Sequence, residues 1–153
     1  MDLMTVTFWF SSVFIFPLWV MMWFLPKHDI TRKIVGDVRI CAFPLIASYA
    51  ILLIPNAVKV LTALGSQMPT PDVVVDLFAD DEMIILAWLH FLVMDTFIGR
   101  YIWMRMLAAD RPIQVSMPVL LLCMMMGPIG LLAGILATLD VEDDISVPAR
   151  PIE

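Results

Sequence analysis

Four apolar runs alternate with polar stretches along the chain. They cover residues 4–25, 40–64, 83–106 and 117–138. Each is long enough to cross a hydrocarbon core of about 30 Å, because a helix rises about 1.5 Å per residue. The pattern predicts an all-α fold, an integral membrane four-helix bundle over residues 1–139. Pro17, Pro44, Pro55 and Pro128 fall inside the runs and predict kinks, since proline removes an N–H and clashes with the preceding turn. The Gly127-Pro128-Ile129-Gly130 stretch predicts a break or bend near mid-membrane, and Gly130 and Gly134 predict close helix contact. Residues 65–82 hold Asp72, Asp76 and Asp80 at four-residue spacing with apolar residues between them, which predicts a short amphipathic surface helix. Residues 140–153 are acidic and proline-containing, and predict a flexible tail.

Composition strengthens this picture. The chain is 61% hydrophobic and only 16% charged, against about 45–50% apolar and about 25% charged in soluble domains. The net charge of -6 argues against a nucleic-acid partner, which needs a basic patch. Cys41 and Cys123 both fall in apolar runs, and with His28 and His90 they make no zinc spacing. No metal and no cofactor are therefore expected. No basic region precedes run 4–25 and no small-residue cleavage site follows it, so a retained helix is expected.

Charge is segregated. Loop 26–39 holds Lys27, Arg32, Lys33 and Arg39, and segment 100–116 holds Arg100, Arg105 and Arg111, whereas segment 65–82 has no basic residue. The positive-inside rule puts the basic loops on the cytoplasmic or stromal side. With four crossings, the N- and C-termini and the acidic loop belong on the opposite, non-cytoplasmic side. A multi-pass protein of a bacterial inner membrane or a plastid-type membrane follows.

Candidate chemistry concentrates in Trp88–Arg105, WLHFLVMDTFIGRYIWMR. His90, Asp95 and Arg100 lie in one apolar helix, although a charge at the bilayer centre costs about 2.5–3.5 kcal/mol or more. Asp95, halfway along, is a candidate general acid or base, or a packing carboxyl bonded to Tyr49, Asn56 or an indole. His90 is a proton-shuttle candidate or a hydrogen-bonded imidazole. Arg100 either snorkels or pairs structurally, or binds an anionic or hydroxyl group. Trp88, Tyr49, Asn56 and Tyr101 are further candidates for substrate contact. Trp88, Asp95, Gly99 and Ile102 share one helix face; His90, Met94, Phe97 and Tyr101 share another. His90 and Asp95 are about 140° apart around the helix, so a direct couple between them is not expected and partners must come from other helices. The methionines, including Met124 to Met126, are flexible filler or the walls of a pocket for a long lipid.

WLHFLVMDTFIGRYIW at 88–103, Pro118 and GPIGLL at 127–132 resemble the abscisic-acid-deficient-four-like family of small integral membrane proteins. So do Pro17-Leu18-Trp19, Pro26 and the Thr31-Arg32 element. The resemblance covers roughly residues 15 to 137. Tyr101 and Thr96 depart from the family pattern. The resemblance implies four transmembrane helices and a link to carotenoid metabolism, where plant members are needed to make neoxanthin from violaxanthin in plastids. That conversion opens an epoxide and forms an allene without net redox change. It implies catalytic roles for Asp95 and His90, with Arg100 orienting a polar end group, and a carotenoid or similar long apolar ligand in the bilayer. The alternative is a non-catalytic carotenoid-binding or assembly protein. A homodimer, or association with another membrane protein, is compatible with so small an interior.

Overall fold

The computed structural model describes residues 2–65, 68 and 70–141. Among them are eight helices and no strand: α1 (Leu3–Phe24), α2 (Asp29–Ile34), α3 (Val38–Cys41), α4 (Phe43–Gly65), α5 (Pro71–Leu77), α6 (Asp81–Ala108), α7 (Ile113–Met125) and α8 (Gly127–Ala137). The flexible tail expected over 140–153 lies, beyond Val141, outside the described residues.

Three helices among the described residues, α1, α4 and α6, are long and apolar enough to cross a bilayer. Their starts follow local chemistry. Asp2 accepts from the Thr5 amide at the start of α1, at 3.1 Å, and Asp80 accepts from the Glu82 amide at the start of α6, at 2.9 Å. Such caps satisfy amides that a first helical turn leaves unpaired. Asp81 and Glu82 add negative charge where the helix dipole favours it. α1 and α4 continue as single helices through Pro17 and Pro55. The amphipathic helix predicted from the aspartate spacing forms as α5, capped by Thr70 with Pro71 in its first turn.

α1 and α6 run parallel, with Phe8 beside Trp88 and Trp19 against Gly99, and α4 runs antiparallel to both, so the molecule has two chemically distinct ends. The acidic end holds Asp2, α5 and the start of α6, and is tied by the Lys59–Asp80 ion pair. The basic end holds α2, α3 and the end of α6. It is fastened by the Trp103 indole N–H donating to Pro26 O at 3.1 Å and by Thr31 Oγ1 donating to Leu25 O at 2.7 Å. Lys27 and Asp110 add an exposed ion pair there.

The fourth apolar run corrects the four-helix expectation. Residues 117–138 are not one crossing helix. The chain breaks at Met126 and folds back, so that α7 and α8 form an antiparallel hairpin. Arg111, just before α7, donates to Ala137 O at the end of α8 at 2.8 Å. A Cβ added at Gly130 would overlap the backbone of Cys123 and come within 2.6 Å of Leu122 C, so the two helices meet backbone to backbone. Neither leg can cross a membrane. α7 has 13 residues and α8 has 11, about 20 Å and 17 Å of helix, against a core of about 30 Å. Local chemistry permits the break: Pro128 has no N–H to continue the ladder, and Gly127 and Gly130 allow the close return.

The hairpin also changes where the chain emerges. An even number of crossings underlies the expectation that both termini share a side. With the hairpin, the described chain begins at the acidic end and leaves at the basic end, where Thr138 and Val141 meet Arg105.

The hairpin fills the basic half of the space between α1 and α6. A contiguous core occupies that half, with Trp19, Met22, Ile102, Leu120 and Cys123 fully buried. The outer edge of the Trp19 ring abuts Gly99 of α6, where any side chain would collide with it. Gly134 of α8 faces the Ile102 side chain of α6, with 2.6 Å left for an added Cβ. The small residues therefore serve close contact, as their spacing predicts, but with two different neighbours.

Candidate functional site

The tip of the hairpin stops level with the middle of α6, and above it the gap between α1 and α6 is unfilled. A cavity of about 570 Å³ occupies this gap, within the usual range for small-molecule sites. Ser12, Ile15 and Phe16 of α1 line one wall and Trp88, Phe91, Leu92 and Asp95 of α6 the other. Met124, Met125, Gly127 and Pro128 form the floor.

Asp95 is the only ionisable side chain in this lining. Its carboxyl is half-buried against Gly127, at the start of α8, and an added Cβ there would overlap its Oδ1. A glycine is required for this approach, and the amino end of a helix is favourable ground for a carboxyl. Ser12 supplies a hydroxyl to the same cavity, and its Oγ is buried with no hydrogen-bond partner among the described residues. The remaining walls are aromatic, aliphatic or thioether. Such an arrangement can hold a long apolar molecule, present a proton donor or acceptor to one polar end group, and keep water away from it.

The other end of α8 is equally well matched. Arg105, buried, donates from Nε to Thr138 Oγ1 at 2.8 Å and from Nη2 to Thr138 O at 2.7 Å and Val141 O at 3.1 Å. Arg111 adds Ala137 O and an ion pair with Asp140. Cations on the last carbonyls of a helix stabilise it through hydrogen bonds and the dipole together. α8 is thus a half-length helix held by arginines at the basic end, with its tip placed against Asp95.

The predicted residues disperse from there. Trp88 joins Asp95 in the cavity, as their shared helix face requires. His90 lies on the other side of α6, facing Tyr49 of α4 with ring centroids 5.7 Å apart. Arg100 points to the basic end, where Nε donates to Val35 O at 2.8 Å and Nη2 to Gly36 O, closing the turn between α2 and α3. Tyr101 lies beneath the Arg105 guanidinium, 5.8 Å from it. Asn56 donates to Leu52 O at 3.1 Å, one turn back in α4, and lines a pocket of about 290 Å³ beside Asp2 and Glu82 at the acidic end. Asp95 therefore meets α1 and the hairpin, not Tyr49 or Asn56.

Ser12, Phe91, Arg105 and Arg111 escape sequence reasoning as site or site-supporting residues. A serine in an apolar helix usually bonds back to the carbonyl one turn earlier, as Ser48 does to Pro44 O at 2.9 Å, so nothing in the sequence separates Ser12 from that role. Among the described residues no group of three or more His, Cys, Asp or Glu side chains is placed to hold a metal.

No curated protein matches the chain, and no solved structure matches it. A family model does: the one described as ABA DEFICIENT 4-like matches residues 6–133. That span takes in α1 from Val6 onward, α4, α6, α7 and the first seven residues of α8, including every residue that lines the Asp95 cavity. The chain is a membrane protein that belongs to the ABA DEFICIENT 4-like family, a membership that points to carotenoid and neoxanthin metabolism.

Proposed function

We propose that the protein is a cofactor-independent carotenoid or isoprenoid isomerase, acting by acid–base chemistry in the Asp95 cavity. The observation that carries this reading is a single carboxyl in the wall of an apolar cavity, just above its floor, in a membrane protein of a carotenoid-related family. An epoxide-to-allene isomerisation moves one proton from carbon to oxygen. One carboxyl can serve both ends of that transfer. In its protonated form, one oxygen of Asp95 gives its proton to the epoxide oxygen as the C–O bond breaks. The other oxygen takes the vinylic proton as the cumulated double bond forms. The carboxyl returns to its starting state, and no electrons leave the substrate. Ser12 orients the oxygen of the end group, and Trp88 and Phe91 hold the adjoining polyene, which runs toward the acidic end and out into lipid. General acid–base catalysis of this kind contributes about 10²–10⁴ in rate.

One observation favours the second reading, a carotenoid-binding or accessory protein without chemistry of its own. His90 does not line the cavity with Asp95, so no acid–base pair is preassembled there. Purified protein incubated with an epoxy-carotenoid, with isomers separated and counted, distinguishes the two. Turnover without added cofactor supports the isomerase. Retained pigment with no product supports the binding protein and rules the isomerase out.

The same reading makes α1, α4 and α6 the crossings of a multi-pass protein in a bacterial inner or plastid-type membrane. The basic end faces the cytoplasm or stroma, the N-terminus faces the opposite side, and the chain leaves α8 on the cytoplasmic side. The outer face of α4, with Ile51, Ile54, Val58 and Leu61 exposed, meets lipid, a second copy or another membrane protein.

A further inference from the structure

A second cavity, of about 260 Å³, lies on the far side of α6 from Asp95, between α4, α5 and α6. Phe91 lines both cavities. Val60, Leu64 and Met83 form the walls of the second, and Leu77 and Phe78, at the end of α5, roof it toward the acidic end. The end away from α5 is polar, formed by the partly buried Tyr49 and by His90, which is exposed at the helix surface. Both lie at one depth: each is ten residues along its helix from a member of the Lys59–Asp80 pair, about 15 Å below that pair. The Tyr49 hydroxyl and the His90 ring nitrogens have no hydrogen-bond partner among the described residues, and the two rings meet only at 5.7 Å between centroids. With α4 and α6 crossing the membrane as proposed above, two polar groups side by side and facing lipid at this level are costly without partners. Among the described residues no carboxylate, lysine or arginine lines the cavity, so a charged head group finds no counter-ion among them.

We propose that this cavity is a second lipid-binding site, separate from Asp95, for a neutral isoprenoid-sized molecule carrying one hydroxyl or carbonyl group. The phenol and the imidazole each donate and accept, so together they hold a hydroxyl in both of its roles, or a carbonyl by a donated bond. The oxygen sits deep, the adjoining ring or chain fills the apolar walls under α5, and the rest of the molecule leaves sideways into lipid. Asp95 takes no part, because it opens to the other face of α6.

The probe is all-trans-retinol, a neutral isoprenoid alcohol, titrated into the purified full chain in detergent while quenching of tryptophan emission is followed. Anhydroretinol, which lacks the hydroxyl, is the comparison ligand. Two lost hydrogen bonds weaken binding by about tenfold or more, so the Tyr49→Phe/His90→Leu double variant and the anhydroretinol titration of the unaltered protein should both show a loss of that size. His90→Gln, which keeps a donor and an acceptor, retains binding, and so does Asp95→Asn. If the double variant fails to purify as a single folded species, His90→Leu against His90→Gln carries the same comparison. Equal affinity for the two ligands, or an unchanged affinity in the variants lacking the polar groups, overturns the proposal. So does loss of binding in Asp95→Asn with retention in His90→Leu. None of these readouts depends on isomerase turnover, so the site stands or falls independently of the function proposed above.

Discussion

The two halves of the molecule differ in how completely they are filled. In the basic half the hairpin occupies the space between α1 and α6, and a contiguous core forms around Trp19, Ile102 and Leu120. Three of its polar side chains bond to main chain, Arg100 to Val35 O and Gly36 O, Trp103 to Pro26 O and Arg105 to Thr138 O and Val141 O, while the Trp19 and Trp23 indole N–H groups are packed without a hydrogen-bond partner among the described residues. The acidic half has no hairpin between α1 and α6. It contains the Asp95 and Tyr49–His90 cavities, each with polar groups in its lining, and its Ser12, Tyr49 and His90 have no hydrogen-bond partner among the described residues. One half supplies rigidity and the other supplies room. The border between them is the hairpin tip, where Asp95 meets Gly127.

Breaking the filled half should have the largest effect on folding. Gly130→Val forces a side chain into the Cys123 backbone. Overpacking typically costs about 1–3 kcal/mol, and the obstacle here is main chain that cannot rotate away, so the upper end of that range is expected. The thermal transition of the purified protein should fall accordingly, and pigment binding should fall with it as the cavity floor moves. Arg105→Met removes the charged hydrogen bonds to the end of α8 and leaves Thr138 O buried without them. A loss of about 1.5–3 kcal/mol is expected, read as the same kind of transition, with α8 amides becoming the fastest to exchange hydrogen within the hairpin.

Changes in the open half should leave stability nearly unaltered and act on function. Ser12→Ala removes a hydroxyl that has no protein partner, so the transition should hold while turnover drops by about tenfold, the value of one oriented hydrogen bond. A drop in the transition instead would place Ser12 in the packing. His90→Ala should leave turnover close to that of the unaltered protein, since His90 opens to the second cavity.

The smallest effect concerns pH. Lys27, hydrogen-bonded to Asp110 at the basic end, holds that carboxyl below the ordinary carboxylate range, and Lys59 with the Glu82 amide does the same for Asp80 at the acidic end. A depressed carboxyl contributes stability that is present above its unfolded value and is lost as pH falls through the folded one. Both pairs are exposed, so little stability is expected from either. Asp110→Asn should lower the transition slightly near neutrality, where the pair contributes, and the difference from the unaltered protein should vanish as pH falls below the ordinary carboxylate range.

The three long helices and the cost of burying Asp95 are legible from residue order, because both follow from length and hydropathy. The face shared by Trp88 and Asp95 is legible from helical geometry, as is the separation of Asp95 from His90. The hairpin is not. A 22-residue apolar run with Gly127-Pro128 at its centre reads equally as one kinked crossing or as two half-helices, and periodicity is the same in either case. What decides is tertiary: the contact of Gly130 with Cys123, and the bonds from Arg105 and Arg111 to carbonyls that a straight helix would have carried to the opposite end. The same fold-back gives Asp95 its neighbours, so Tyr49 and Asn56, expected beside it, lie elsewhere while Ser12 and Gly127 take their place.

The central claim is that the Asp95 carboxyl transfers the proton while the rest of the cavity holds the substrate. Asp95→Asn keeps the size and polarity of the side chain but removes the transferable proton. Turnover of an epoxy-carotenoid and retention of that pigment should therefore be measured side by side on this variant and the unaltered protein. The account predicts turnover reduced by about 10²–10⁴ with pigment still bound. Full turnover in Asp95→Asn would contradict it.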